Sequence, residues 1–260
     1  MDYKVIDYAS WPRREMYEFF SAADQPFYNV AFRLDVTRAY NFAKEHSLSF
    51  YMVMTYLVTK AINSVEAFRY AKLDGQIVLF DSLMPSFTDL KPGAEQFHIV
   101  TMPCEGDITE FCREAKRRSM EQDCFIDMSM EGKNLIFITS LPWLDITSLS
   151  HERTFDPDDA IPRVAWGKLL MTAAAARCLA CRSKSTTASS TATTSPNSSV
   201  FLNRIDAATD TFIAVARCRS YRRNSKTLAL HKCAAKFCST THCLPLAELE
   251  GKMPLAADEV

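Results

Sequence analysis

Polar and apolar positions alternate with recognisable periods through the first two-thirds of the chain. Pro12 suits the first turn of a helix, and Arg13 to Phe20 continues it with Tyr17 and Phe20 three residues apart. Residues 27–36, FYNVAFRLDV, read as a strand. Thr37 is placed to cap a helix running to about Ser47. Ser49 caps a second, FYMVMTYLVTKAINSV, which is apolar over most of its surface and so predicted to be buried. In KLDGQIVLFD the pair Asp74-Gly75 lies between extended segments, a hairpin signal. FHIVTMP reads as a further strand. DITEFCREAKRRSMEQ runs from an acidic cap at Asp107 to a basic end, as a helix dipole favours. NLIFITSLPW is a strand that stops at Pro142.

After Lys168 these periods stop. No glycine occurs between Gly167 and Gly251, so turns that need positive φ have none to use. The aromatics thin out to Phe201, Phe212, Tyr221 and Phe237, which leaves little area for a core. SKSTTASSTATTSPNSS, residues 183–199, has the composition of a linker or stalk. The chain therefore divides into residues 1–168, an α/β domain, and residues 169–260, a region without regular patterning that is expected to be poorly ordered.

Composition narrows the function classes. A net charge of −1 on 260 residues gives no overall bias toward nucleic acid or anionic membranes. The N-terminus has charges throughout and no apolar signal region, and no apolar run is long enough to cross a bilayer. A cytoplasmic protein with reduced thiols is expected despite the nine cysteines. Cys178-Leu-Ala-Cys181 has metal-ligand spacing. The later Cys233, Cys238, Cys243, His231 and His242 are too widely and irregularly spaced to complete a zinc site, so no metal is expected. RCRSYRRNSK, residues 217–226, reads as a solvated basic run, so neither a nucleic-acid nor a membrane partner is expected.

The strings WPRREMYEFF, FRLDVT, FYMVMTYLVTKAIN, FRYAKLDGQIVLFDSLMPSFT, FHIVTMP, ITSLPW and IPRVAWGK follow one another from Trp11 to Lys168. In that order and spacing they resemble the chloramphenicol acetyltransferase family. The resemblance implies a two-layer α/β sandwich, a mixed sheet covered by helices, assembled as a homotrimer with sites between subunits. It implies transfer of an acetyl group from acetyl-CoA to a hydroxyl of a small acceptor such as chloramphenicol, an antibiotic-resistance activity. A histidine of a His-His-x-x-x-Asp-Gly motif acts there as general base, and a side-chain hydroxyl stabilises the oxyanion. By position, Thr139 is the oxyanion hydroxyl. Arg13 is the arginine that pairs with the motif's aspartate, and Phe19, Phe20, Tyr28 and Phe97 line the acceptor pocket. From the residues alone, core packing accounts for the same aromatics. Ala165 stands where some members have a threonine.

The motif itself is missing. The five histidines are His46, His98, His151, His231 and His242; none is adjacent to another and none precedes Asp-Gly. In the family the motif follows Gly-Lys by some twenty residues, which lands on the Ser/Thr stretch. Reading the third base of each codon there with the first two of the next permits L-E-V-H-H-G-L-V-D-G-Y-H-I-A-Q-F-F across Ser183–Ser199. The paired histidines arise at Thr186 and Thr187 and the aspartate at Thr191. The resemblance thus implies that the sequence after about Leu170–Ala176 is out of frame, and that this chain has no general base. The chain is expected to be an inactive relative that at most binds ligand or other subunits.

Overall fold

The fold is described from a computed structural model, which describes residues 2–24, 26–150, 156, 158–171 and 177–186, with residues 178–186 described by their backbone. All of these lie in the first of two compact units, Met1–Arg217 and Cys218–Val260. The elements are β1 (Tyr3–Val5), α1 (Arg14–Ser21), β2 (Phe27–Asp35), α2 (Thr37–Glu45), α3 (Phe50–Asn63), β3 (Tyr70–Leu73), β4 (Gln76–Phe80), β5 (Met84–Asp89), β6 (His98–Thr101), α4 (Ile108–Glu121), β7 (Leu135–Ser140), β8 (Arg163–Met171) and β9 (Arg177–Thr186). A six-stranded mixed sheet has the order β2-β9-β8-β7-β5-β6, and a small sheet has the order β1-β4-β3. Strand β7 pairs in parallel with both β5 and β8, while the β5–β6, β8–β9 and β9–β2 pairs are antiparallel.

Local chemistry accounts for the helix and turn boundaries. The side chain of Ser49 accepts the N–H of Met52 at 3.5 Å and starts α3. Asp107 accepts the N–H groups of Thr109 and Glu110, both at 2.9 Å, and Glu110 returns a bond to the Asp107 N–H, a reciprocal cap on α4. Asp74 and Gly75 have φ of +48° and +80°, the left-handed pair that a two-residue hairpin needs between β3 and β4. The cap of α2 differs from expectation. Thr37 is its first helical residue, and Asp35 Oδ1 accepts the Thr37 N–H at 2.8 Å. The Thr37 hydroxyl instead accepts the N–H of Arg177 at 2.7 Å, where β9 begins.

One face of the large sheet packs on the helices. Leu34, Phe87, Val100, Ile136, Ile138, Val164 and Trp166 from the strands meet Phe42, Met52, Val53, Tyr56, Leu57, Ile108 and Phe111 in one buried core. Each fully buried side chain of this size contributes ~1.5–3 kcal/mol relative to exposure. As its composition predicts, α3 is buried on nearly every side. A smaller cluster of Trp11, Tyr70 and Ile77 joins α1 to the small sheet.

Strands β1, β5, β8 and β9 were not legible as separate elements. The apparent division at Lys168 falls inside β8, and β9 occupies an interior place between β8 and β2. Ladder hydrogen bonds come from the backbone, so RCLACRSKST, which contains no proline, can pair on both sides without apolar alternation. The rest of the region expected to lack order, residues 187–260, lies outside the described residues.

Candidate functional site

Strand β7 carries Thr139 near its end. The β-branched Ile136 and Ile138 of this strand point into the helix-side core. Alternation therefore turns Thr139 to the opposite face, where it is half-buried. Its partner on β8 is Ala165, which is completely buried and offers no hydroxyl beside it. The register continues from Ala165 to Arg182 of β9 and on to Ala31 of β2.

Beyond Ser140 the chain turns across this face. The Leu141 N–H donates to Trp166 O at 2.9 Å, the last rung of the β7–β8 ladder, and the Lys168 N–H donates to Leu144 O at 2.7 Å. Asn29 Nδ2 of β2 donates to Leu149 O at 2.8 Å. Residues 141–149 thus form a strap anchored on β8 at one end and on β2 at the other.

The remaining candidates lie in separate neighbourhoods. Arg13 is the N-cap residue of α1, half-buried, with its guanidinium 6.0 Å over the Tyr70 ring. Tyr70 in turn donates to Glu66 at 2.7 Å. Burial first, and then the bond to Glu66, raise the Tyr70 hydroxyl above its ordinary pKa. Of the acids on the same helix, Glu18 accepts from Arg14 Nε and from Tyr8, both at 3.1 Å. Phe19 and Phe20 meet edge to face at 5.1 Å at the end of α1, and Phe19 is 75% exposed. Tyr28 is half-buried on β2 opposite Ser185. It shares the parity of Phe32 and Leu34, so it faces the helix side of the sheet, away from Thr139. Phe97 is 51% exposed and packs on Phe125 at 5.7 Å just before β6. Thr139 and Tyr28 thus stand on opposite faces of the sheet.

Both described histidines are engaged in the scaffold. His46 Nδ1 bonds Phe42 O at 2.9 Å, and its ring stacks on Phe42 at 4.1 Å. His98 is buried beside Ser119, with Nε2 to Oγ at 3.2 Å. The single Ser119 proton goes to Asp89 Oδ2 at 2.5 Å, so His98 Nε2 carries the proton that Oγ accepts. His151, His231 and His242 lie outside the described residues, as do Thr187 and Thr191. Among the described residues, no group of His, Cys, Asp and Glu could hold a metal ion, and no helix is long and apolar enough to cross a membrane.

The family model for chloramphenicol acetyltransferase matches residues 1–173. The chain belongs to that family. Chloramphenicol acetyltransferase 3 of Escherichia coli is 26% identical over 153 residues, which cover 58% of this chain and 72% of the relative. A chloramphenicol acetyltransferase of Clostridioides difficile is 26% identical over 176 residues, covering 65% and 80%. Among solved structures, a chloramphenicol acetyltransferase superposes with a TM-score of 0.69 at 20% identity, over 80% of this chain and 99% of that one. The cubic core of the pyruvate dehydrogenase multienzyme complex superposes with a TM-score of 0.54 at 14% identity, over 76% of this chain and 87% of that one. These likenesses agree with the expected mixed α/β sandwich. The strap and its seat on β8 are the feature of the Thr139 face that sequence reasoning missed. A signal was present: Gly167 is the one glycine in the strand RVAWGKLLM.

Proposed function

We propose that this chain carries the scaffold of an acetyl-CoA-dependent O-acetyltransferase for a small hydroxylated acceptor such as chloramphenicol, and that as written it lacks the general base and does not turn over. The observation that carries the reading is the histidine inventory. The sequence holds no His-His pair, and the two described histidines are bonded into the scaffold. In this reading Thr139 supplies the oxyanion hydroxyl, Arg13 supports the site, and Phe19, Phe20, Tyr28 and Phe97 contact the acceptor. The placement of Thr139 and Tyr28 on opposite faces fits a site built between the subunits of a homotrimer. A reduced, cytoplasmic setting suits the thiols of the half-buried Cys104 and the buried Cys112. Burial pushes each of these up to about 12, so they are protonated and inert at neutral pH.

One further observation supports an out-of-frame origin for the sequence beyond about residue 170. The family match ends at residue 173, within the window where the shift is placed. In that reading the first of the two histidines falls at Thr186, on β9 and opposite Phe27 of β2.

The test is acetyl transfer by the purified 260-residue chain, followed as release of CoA thiol in the presence of chloramphenicol. No transfer above background is expected. A protein translated from the restored frame gains at least the ~10²–10⁴-fold that a general base supplies. Turnover by the chain as it stands would overturn the reading. Resequencing the gene around codon 170 decides the origin: the frame proposal fails if no single-base change there opens a frame encoding the motif.

A further inference from the structure

Strand β8 carries one residue too many for its partner. Trp166 pairs with Cys181 and Leu169 with Leu179, so the register slips by one residue across Gly167 and Lys168. The bulge lies where the strap touches down. The Lys168 N–H, released from the ladder, donates to Leu144 O, and the Leu141 N–H donates to Trp166 O on the other side of Gly167. A side chain at Gly167 would collide with this seat. A Cβ built there lies 2.5 Å from Leu144 O, 2.8 Å from Ile146 Cγ1 and 3.3 Å from Ile146 N. Two of those three atoms are backbone, so rotating a side chain does not remove the conflict. Gly167 has an ordinary negative φ, so close approach, rather than backbone conformation, is what requires glycine.

The consequence reaches Thr139. Alternation along β8 places Gly167 on the same face as Ala165, and Ala165 is the partner of Thr139. Only Ser140 separates Thr139 from Leu141, the first anchored residue of the strap. Two small residues in succession on that face, Ala165 and Gly167, let a backbone lie directly on β8 and fix how β7 ends. We infer that Gly167 is a positioning residue: it seats the 141–149 strap on the β8 bulge and so holds the Thr139 side chain in place. The part of this inference that concerns acetyl transfer rests on the role proposed above for Thr139. The seating of the strap does not.

The experiment compares the full 260-residue chain with its Gly167→Ala variant by two readouts. Amide hydrogen exchange at Lys168 reports the seat, and exchange at Leu141 reports the end of β7 that the seat is inferred to hold. The ¹³C-methyl resonance of Thr139, assigned by its loss in Thr139→Ser, reports the side chain. In Gly167→Ala both amides are expected to exchange at least ten-fold faster and the Thr139 methyl to shift or broaden. Amides of α3 and the buried Thr59 methyl should be unchanged, which separates local release from general destabilisation. Retained protection at both amides, or an unmoved Thr139 methyl once they are released, would overturn the inference. Should Gly167→Ala fail to fold, Ile146→Gly loosens the strap without touching β8 and must give the same pair of changes, or the inference falls. Acetyl transfer by the restored-frame protein carrying Thr139→Ala tests the proposed role of the hydroxyl separately: an unchanged rate would sink that role and leave the exchange result standing.

Discussion

Removing the charge of Asp159 should cost this fold about 3 kcal/mol. Asp159 and Arg163 form an ion pair just before and at the start of β8, with side chains only 9% and 10% exposed. Arg163 Nη2 donates to Oδ2 at 2.9 Å and Nη1 donates to Oδ1 at 3.3 Å, a two-pronged contact. Asp159 Oδ1 also accepts the Ile161 N–H at 3.1 Å. In Asp159→Asn the shape survives but the guanidinium loses its counter-ion in a buried place, and breaking such pairs costs ~3–5 kcal/mol. Two contacts survive: Nη1 donates to Ile161 O at 3.1 Å, and the guanidinium lies 5.2 Å over the Phe137 ring. They place the expected loss at the lower end of that range. For a domain of this size ~3 kcal/mol lowers Tm by roughly 6–12 °C. Urea denaturation at pH 7 measures it directly. The double variant Asp159→Leu with Arg163→Met, which removes both charges together, should lose less than Asp159→Asn. A single-variant loss under about 1 kcal/mol, or a double variant less stable than the single, would refute the view that an uncompensated buried charge is the cost.

Glu114 accepts from Arg117 and Arg118, which hold its carboxyl down to about 2. Because the folded value is depressed, its contribution is present above the ordinary value of 4.5 and is lost as pH falls toward 2. Both arginines are part-exposed, so the effect is small and screened by salt. Comparison with Glu114→Gln across pH 2–6 at low ionic strength should remove that slice of pH dependence, and identical profiles would count against the pairing. Thiol labelling at neutral pH should modify the exposed Cys124 well before Cys104 and Cys112, whose burial raises both thiols. Peptide mapping that finds Cys112 labelled first would contradict the packing of α4 against the sheet.

Much of the local structure was legible because its causes are local. The cap at Ser49, the reciprocal cap at Asp107–Glu110 and the Asp74-Gly75 turn each depend on residues within three positions of one another. The apolar run of α3 declares a buried helix whatever surrounds it. Thr37 shows the limit of this. Its hydroxyl was expected to cap its own helix, but a bond to Arg177, distant in sequence, claims it and leaves Asp35 to support the first turn.

The candidate site divides in the same way. Residue identities alone supply the missing His-His pair, the hydroxyl at Thr139 and the lone glycine in RVAWGKLLM. Strand order and register had to come from tertiary pairing, because backbone ladders are indifferent to side-chain pattern: RCLACRSKST becomes an interior strand without any alternation to announce it. Only that pairing sets Ala165 beside Thr139, turns Tyr28 to the other face, and brings Leu144 O within 2.5 Å of the place a Cβ on Gly167 would occupy. A sequence specifies which groups exist and how neighbouring backbone bends. Which groups meet is decided by the burial of one sheet face against three helices, because a slip of one residue in any strand would exchange its buried and exposed sides.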